Sequence, residues 1–296
     1  MRRLAASIGL VLASGVPAAG FDLLASAGVA YQSVQLWHDA SSASPLLGNP
    51  TSILDYRGLV APYVELSGSV PLEGWTLSGE VRIQGAGGGA FQDTDYLSGG
   101  VLLSDTWSVG AVHLGLEADL RLYPDVEVQL GTGSLRPLMA VAAEGHSLAA
   151  FGLACGSVCL GPPVAESVEV IGHQLYGTSA GVGGEVSFPV STAGRLDLLA
   201  LGTVGVVFAN DSHRLRTDLG PMPNITSQFT VLGVDTEARY LHSLSDALSG
   251  VMVLGASFER GWGTTSFGAS TVAPLTFPAG FQRVQLRLGV GLEGRF

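Results

Sequence analysis

The sequence predicts an all-β fold, a transmembrane antiparallel β-barrel of about ten strands, and three observations carry that expectation. The chain opens with a secretory leader, its apolar residues alternate with a period of two, and short links alternate with long polar ones. Strands of about 9 to 11 tilted residues cross a bilayer, and closure into a barrel satisfies every backbone group.

The leader comprises Arg2 and Arg3, a largely apolar run from Leu4 to Val16, and the small residues Pro17-Ala18-Ala19-Gly20. This order is that of a signal peptide, and the run is too short to span a bilayer. Residues 1–19 are therefore expected to be removed, leaving 20–296 as one barrel with no further domain boundary. Losing both arginines takes the formal charge from −11 to −13. An acidic product argues against nucleic acid as a partner, since phosphates demand a basic footprint. Lysine is absent and all 14 basic residues are arginine. With 42 glycines, 13% charged residues and a mean hydropathy of +0.39, the composition is unusual for a water-soluble enzyme. No run after residue 20 reaches the roughly 18 unbroken apolar residues of a transmembrane helix.

Along the chain, Val60, Val64, Leu66 and Val70 alternate with Tyr63, Glu65, Ser67 and Ser69. Trp75, Leu77, Val81 and Ile83 alternate with Thr76, Ser78, Glu80, Arg82 and Gln84. A looser segment sets Leu196, Leu198, Ala200, Val204, Val206 and Phe208 against Arg195, Asp197 and Thr203. The last strand sets Val284, Leu286, Leu288, Val290, Leu292 and Phe296 against Gln285, Arg287, Glu293 and Arg295. Alternation alone also fits sandwiches and barrels in water; the leader, the uncharged face and the terminal Phe296 favour the membrane. Tight turns fall at Pro71-Leu72-Glu73-Gly74, Gly131-Thr132-Gly133-Ser134, Ser191-Thr192-Ala193-Gly194 and Ser245-Asp246-Ala247. Longer links fall around 38 to 53, 85 to 105, 150 to 167, 209 to 224 and 260 to 280. Two strands per long loop give about ten.

Two acidic motifs follow strand ends on the long-loop side: Asp93-Thr94-Asp95 and Asn210-Asp211-Ser212-His213. Strand residues two apart point the same way, about 6 to 7 Å from each other. Each motif thus presents two ionisable groups to one side, and Asp211 and His213 continue the odd-numbered face expected to point into the lumen. Such pairs also occur as solvated loop acids or loose cation sites. As chemistry, two carboxylates facing an Asp/His couple can activate water: Asp211 orients His213, His213 takes a proton, and the Asp93/Asp95 pair holds the water. Two close carboxylates titrate as a unit, so one can stay protonated and donate to a developing oxyanion.

At these residues the chain resembles the omptin family of outer-membrane endopeptidases. Ser52-Ile53-Leu54-Asp55-Tyr56 is similar to the family's Ser-x-Leu-Asp-Trp; Gly85, Gly88 and Gly89 lead into Asp93-Thr94-Asp95-Tyr96, similar to its Gly-rich run into Asp-x-Asp-Trp. Asn210-Asp211-Ser212-His213 is similar to its Asn-Asp-x-His. The resemblance implies a ten-stranded barrel in the bacterial outer membrane whose outward cleft cuts exposed peptides or proteins, with Asp93, Asp95, Asp211 and His213 catalytic. It implies no cofactor and no metal, with outer-membrane lipid as surroundings and lipopolysaccharide as a candidate requirement for activity.

The departures concern specificity. Where omptins carry acids that select basic side chains, Gln32 and Ala209 align, so cleavage is expected not to be strictly basic; Asp105 is the acid whose loop could replace them. In the family's lipopolysaccharide-binding outer wall, a basic cluster, Glu144 and His146 fit part of the pattern while Tyr176 stands where an arginine is expected. Cys155 and Cys159, the only cysteines, are expected to form a local disulfide. His38, His113, His146, His173 and His242 lack metal-ligand spacing and read as polar lumen or loop residues. Trp37, Trp75, Trp107 and Trp262 are candidates for the membrane interfaces. The alternative function is a non-catalytic barrel, an adhesin or structural protein; a lipid-modifying barrel enzyme would want a Ser/His couple near the lipid face.

Overall fold

A computed structural model describes residues 20–39, 51–97, 100–155, 164–213, 225–267 and 275–296. Eleven strands run through them: β1 (Asp22–Asp39), β2 (Thr51–Leu72), β3 (Trp75–Leu97), β4 (Val101–Pro124), β5 (Val128–Leu130), β6 (Gly133–Cys155), β7 (Val164–Pro189), β8 (Gly194–His213), β9 (Ile225–Ser245), β10 (Leu248–Phe267) and β11 (Leu275–Arg295). Every pairing is antiparallel, in the order β4-β3-β2-β1-β11-β10-β9-β8-β7-β6, and β4 pairs with β6 to close a ten-stranded barrel. The three-residue β5 is a hairpin flap on β6. No helix occurs among the described residues, and the expected signal peptide, 1–19, lies outside them.

The strands run further than the expected links allowed. Residues 85 to 105 are almost wholly strand, because β3 continues to Leu97 and β4 resumes at Val101. Polar and glycine-rich residues hold strand geometry there because neighbours on both sides supply ladder hydrogen bonds, which outweighs weak local propensity.

Side chains sort by face as the alternation requires. Val64, Leu66, Ile83, Leu116, Leu232, Leu254, Leu288 and Val290 point outward and are exposed, while Glu65, Ser67, Glu80, Arg82, Arg283, Gln285 and Arg287 are buried inside. An apolar exterior around a polar interior suits a lipid surround.

The interior has a charged lower level and an apolar belt above it. Below, Arg82 joins Glu65, Glu80 and Glu117; Arg239 joins Glu80 and Glu237; Arg287 joins Glu237; and Arg283 joins Glu144 and Glu259. Such buried charges are tolerated because each has a partner. Above them Val34, Leu36, Leu54, Leu59, Phe91, Leu148, Leu175, Phe229 and Phe281 pack across the bore. Phe229 stacks on Phe281 at 5.7 Å between centroids.

Within this belt, three adjacent strands change which residues face inward. On β2 the buried inward residues are Tyr63, Glu65 and Ser67 lower down, but Leu54 and Tyr56 above. On β3 they are Glu80, Arg82 and Gln84 below, Phe91 and Asp93 above; on β4, His113 and Arg121 below, Ser104, Thr106 and Ser108 above. Register shifts lie between, at Arg57/Val60 and Val60/Tyr63 on β2 and at Gln84/Gly87 and Gly89/Phe91 on β3. One extra residue in a bulge exchanges the two faces of a strand. Gly58 takes the left-handed conformation this requires, with φ 61°. At Gly87 a Cβ would stand 2.0 Å from the Val60 carbonyl oxygen, so only glycine lets the two backbones approach.

Candidate active site

The exchange of faces turns the first acidic motif inward. Cross-strand pairing sets His38, Ser52, Asp95 and Ser104 in one row of β1–β4, with Leu36, Leu54, Asp93 and Thr106 in the row beneath. Asp93 is buried and accepts from the Ser52 hydroxyl at 3.5 Å, while the Thr106 hydroxyl donates to its backbone carbonyl at 3.3 Å. Asp95, one row up, is half-buried. His38 is buried with its ring edge-on to Phe277, 6.4 Å between centroids.

The facing wall keeps its register. On β8 the odd-numbered residues Asp197, Leu199, Leu201, Val207, Ala209 and Asp211 are all buried inward, and no bulge interrupts the pairings with β7 and β9. Asp211 stands opposite His173 of β7, and His173 Nε2 lies 3.4 Å from Asp211 Oδ2. The backbone of His213 stands opposite Ile171; its side chain lies outside the described residues.

One side chain joins the two walls. Tyr56 of β2 is fully buried, packs on Phe91 at 4.6 Å, and reaches across the bore to His173, its hydroxyl 2.7 Å from Nδ1. Burial, then the negative charges of Asp211, Asp93 and Glu169, push this phenol well above its ordinary value. It therefore keeps its proton, and it is the donor to Nδ1 when the ring carries its own proton on Nε2. Through its contact with His173, Tyr56 links the wall that carries Asp93 to the wall that carries Asp211. Tyr56 stands about sixteen residues from the Leu72 turn, roughly 40 Å up at ~3.3 Å per residue and ~40° tilt, beyond an apolar band ~25 Å tall.

The remaining expected site residues fall elsewhere. Gln32 is buried beneath Val34 and Leu36, in a row with Leu59 and Gln285; the β1 residue level with Asp93 is Leu36. Ala209 lies directly below Asp211 on the same face and belongs to the apolar belt. Asp105 accepts from Gln92 at 2.9 Å and Thr94 at 3.4 Å, on the opposite face of the wall from Asp93 and Asp95. Asp55 likewise faces away and pairs with Arg57 at 2.6 Å. Cys155 ends β6, but its side chain and all of Cys159 lie outside the described residues. The lipid-wall reading of Glu144 and His146 is corrected: His146 is buried against His113 at 3.0 Å and Glu144 pairs with Arg283, both within the lumen, because the even-numbered face of β6 points inward. Tyr176 does face outward.

Sequence set Tyr56 in the Ser52–Tyr56 motif and His173 among lumen or loop histidines, and gave neither a role in the site. A signal existed: pairing residues outward from the Ser191–Gly194 turn sets His173 opposite Asp211, which a reading of β8 by itself overlooks.

No family model and no curated protein matches the chain. Among solved structures it is similar to the outer membrane protease OmpT from Escherichia coli, with a TM-score of 0.75 and 12% identity over 96% of this chain and 99% of that one. OprG from Pseudomonas aeruginosa gives a TM-score of 0.34 at 10% identity, covering 95% and 98% of the two chains. Ail of Yersinia pestis gives 0.30 at 10%, covering 93% and 98%. The last two scores are too low to argue from, and the first, at its identity, establishes the fold: that of a bacterial outer-membrane β-barrel.

Proposed function

We propose that the chain is an omptin-like endopeptidase that hydrolyses exposed peptide bonds at the outward barrel mouth with an Asp/His-activated water. The observation that carries the reading is the contact of Tyr56 with His173, which joins the wall of Asp93 to the wall of Asp211 across the bore. A water held by Asp93 and Asp95 gives a proton to His213 as its oxygen attacks the scissile carbonyl carbon. Asp211 stabilises the imidazolium, and His213 then returns the proton to the departing amine as the C–N bond breaks. The protonated member of the Asp93/Asp95 pair donates to the oxyanion. No covalent acyl-enzyme forms, and no metal or organic cofactor takes part.

Uncharged side chains are accepted next to the scissile bond, because the inward neighbours of the two motifs include the apolar Leu36, Leu54 and Ala209 and the uncharged Ser52, Ser104 and Thr106. The test is digestion of a peptide library by purified, refolded protein, with and without lipopolysaccharide. Cleavage that disappears in His213→Ala and in Asp93→Asn supports the proposal. A folded wild type that cuts nothing in either condition overturns it in favour of a non-catalytic barrel.

A further inference from the structure

We infer that Tyr56 and His173 form a buried relay that positions Asp211, making His173 a second histidine of the site with a role distinct from that of His213. The inference rests on the peptidase reading for its kinetic consequence, though not for its geometry. His173 is buried, and both of its ring nitrogens are turned to protein groups. Its Nδ1 is 2.7 Å from the Tyr56 hydroxyl and its Nε2 is 3.4 Å from Asp211 Oδ2, so the ring spans the two groups.

The direction of each contact follows from chemistry. Tyr56 holds its proton in this buried, negatively charged surrounding, and the relay assigns it as the donor to Nδ1. A neutral imidazole that accepts at Nδ1 carries its proton on Nε2. That nitrogen lies 3.4 Å from Asp211 Oδ2, a charge–dipole contact longer than the 2.7–3.2 Å of a formed hydrogen bond. The tyrosine thus selects the tautomer, and the tautomer sets the dipole that the carboxylate of Asp211 meets, on the residue two before His213 in β8. Such second-layer partners fix the orientation of an active group without touching the reacting atoms.

Three kinds of side chain are needed for this to work, and all three are supplied by rigid parts of the fold. Tyr56 is clamped by Phe91 and stands edge-on to the His173 ring at 5.4 Å. His173 and Asp211 are direct cross-strand partners in an unbulged ladder. Asp211 is buried, so solvent does not compete for its inner oxygen.

The test uses full-length refolded protein and the variants Tyr56→Phe, His173→Ala, His173→Gln and the Tyr56→Phe/His173→Ala pair, each checked for the heat-modifiable gel mobility of a folded barrel. Tyr56→Phe removes only the hydroxyl and should lower kcat by roughly ten-fold, and His173→Ala by roughly ten- to a hundred-fold, the range of lost second-layer partners, with KM little changed. The double variant should be no slower than His173→Ala, because the two act as a unit. His173→Gln, which keeps an N–H toward Asp211, should recover part of the loss. Wild-type kcat in folded Tyr56→Phe, or additive losses in the pair, overturns the relay. Imidazole ¹⁵N shifts in micelles decide the geometry independently of activity, with the His173 signal assigned by its loss in His173→Ala. An Nε2–H tautomer that becomes mixed in Tyr56→Phe supports the relay; an Nδ1–H tautomer in the wild type overturns it. If wild type proves inactive, the peptidase reading fails while the shifts still judge the relay.

Discussion

The two walls of the mouth reach the same result by different means. On β7 and β8 an unbroken ladder carries one face from Asp197 through Ala209 to Asp211, so alternation alone delivers the carboxylate to the lumen. On β2–β4 the alternation that buries Glu80, Arg82 and Gln84 would send Asp93 and Asp95 outward, and bulges at Gly58 and along Gly85–Gly89 reverse it. A regular strand places a group cheaply, and its position tolerates no alternative. A bulged strand lets the lower barrel and the mouth obey different patterns, at the cost of glycines and of a structure that one inserted residue could undo.

The largest expected effect lies on the regular wall. His213→Ala should lower kcat by roughly 10² to 10⁴, the range for lost general-base catalysis, and leave the barrel folded, since the ladder there does not depend on that side chain. Cleavage at the wild-type rate in a steady-state peptide assay would remove His213 from the mechanism and, with it, the division of labour between the walls.

Next comes the bulged wall. Gly87→Val forces a side chain into the 2.0 Å gap beside the Val60 carbonyl, so the β2–β3 crossing must open and the presentation of Asp93 shifts. Overpacking of this kind costs about 1–3 kcal/mol, tolerable for a barrel, whereas a displacement of ~1 Å at reacting groups costs about a hundred-fold in rate. The expected outcome is therefore a folded barrel, by gel mobility and circular dichroism, with kcat down roughly a hundred-fold. The matching change on the other wall, at Gly202, meets nothing nearer than 3.9 Å and should leave kcat within a few-fold. Equal sensitivity of the two sites would contradict the contrast between walls.

That contrast also explains what was legible in sequence. The outward- and inward-facing residues and the inward course of Asp211 followed from period-two alternation, which is physics local to each strand, and the barrel from that alternation together with the leader and the rhythm of short and long links. The strands at 85–97 were read as loop because glycines erase the alternation where the faces exchange. The same exchange is why Asp93 could be placed inside only by resemblance to a family motif, not by parity. Tyr56 and His173 were named without a role in the site for a different reason: their importance comes from a contact across the bore, and no single-strand pattern encodes it. Gln32 shows the opposite failure, a residue chosen by alignment that the register of β1 puts beneath Val34 and Leu36.

Specificity is a smaller effect and sharpens the same comparison. Leu36 belongs to the bulged side, level with Asp93, and Ala209 to the regular side, just below Asp211, so both walls line the entrance to the belt with apolar groups. A buried cation left without a carboxylate costs about 3–5 kcal/mol, so a basic residue seated there gains nothing. Cleavage-site profiling should return uncharged residues beside the scissile bond, and Leu36→Glu should add acceptance of arginine. The carboxylates of Asp93, Asp95, Asp211 and Glu169 still draw cationic peptides toward the mouth, an effect on KM that fades with added salt. A strict dibasic preference in the wild type would mean that an acid elsewhere, Asp105 after rearrangement among them, lines the pocket.

The smallest effect is expected at the seam between the walls, where the link from β6 to β7 carries Cys155 and Cys159. In an oxidising compartment two cysteines this close in sequence are proposed to form a disulfide. Closing so short a loop restrains the unfolded chain by about 2 kcal/mol on the chain-entropy estimate, which is a gain in stability and not in geometry. The walls do not need it: β4 pairs with β6, and β6 with β7, along ladders that hold Asp93 and Asp211 in place from below. Cys155→Ser/Cys159→Ser should therefore unfold at a slightly lower temperature and keep kcat within about two-fold. Alkylation before and after reduction tells whether the bond is present in the wild type, and free thiols in an oxidised sample would end the proposal. A large fall in kcat with an unchanged melting temperature would show instead that the link tunes the spacing of the two walls, and that neither ladder is rigid enough to set it.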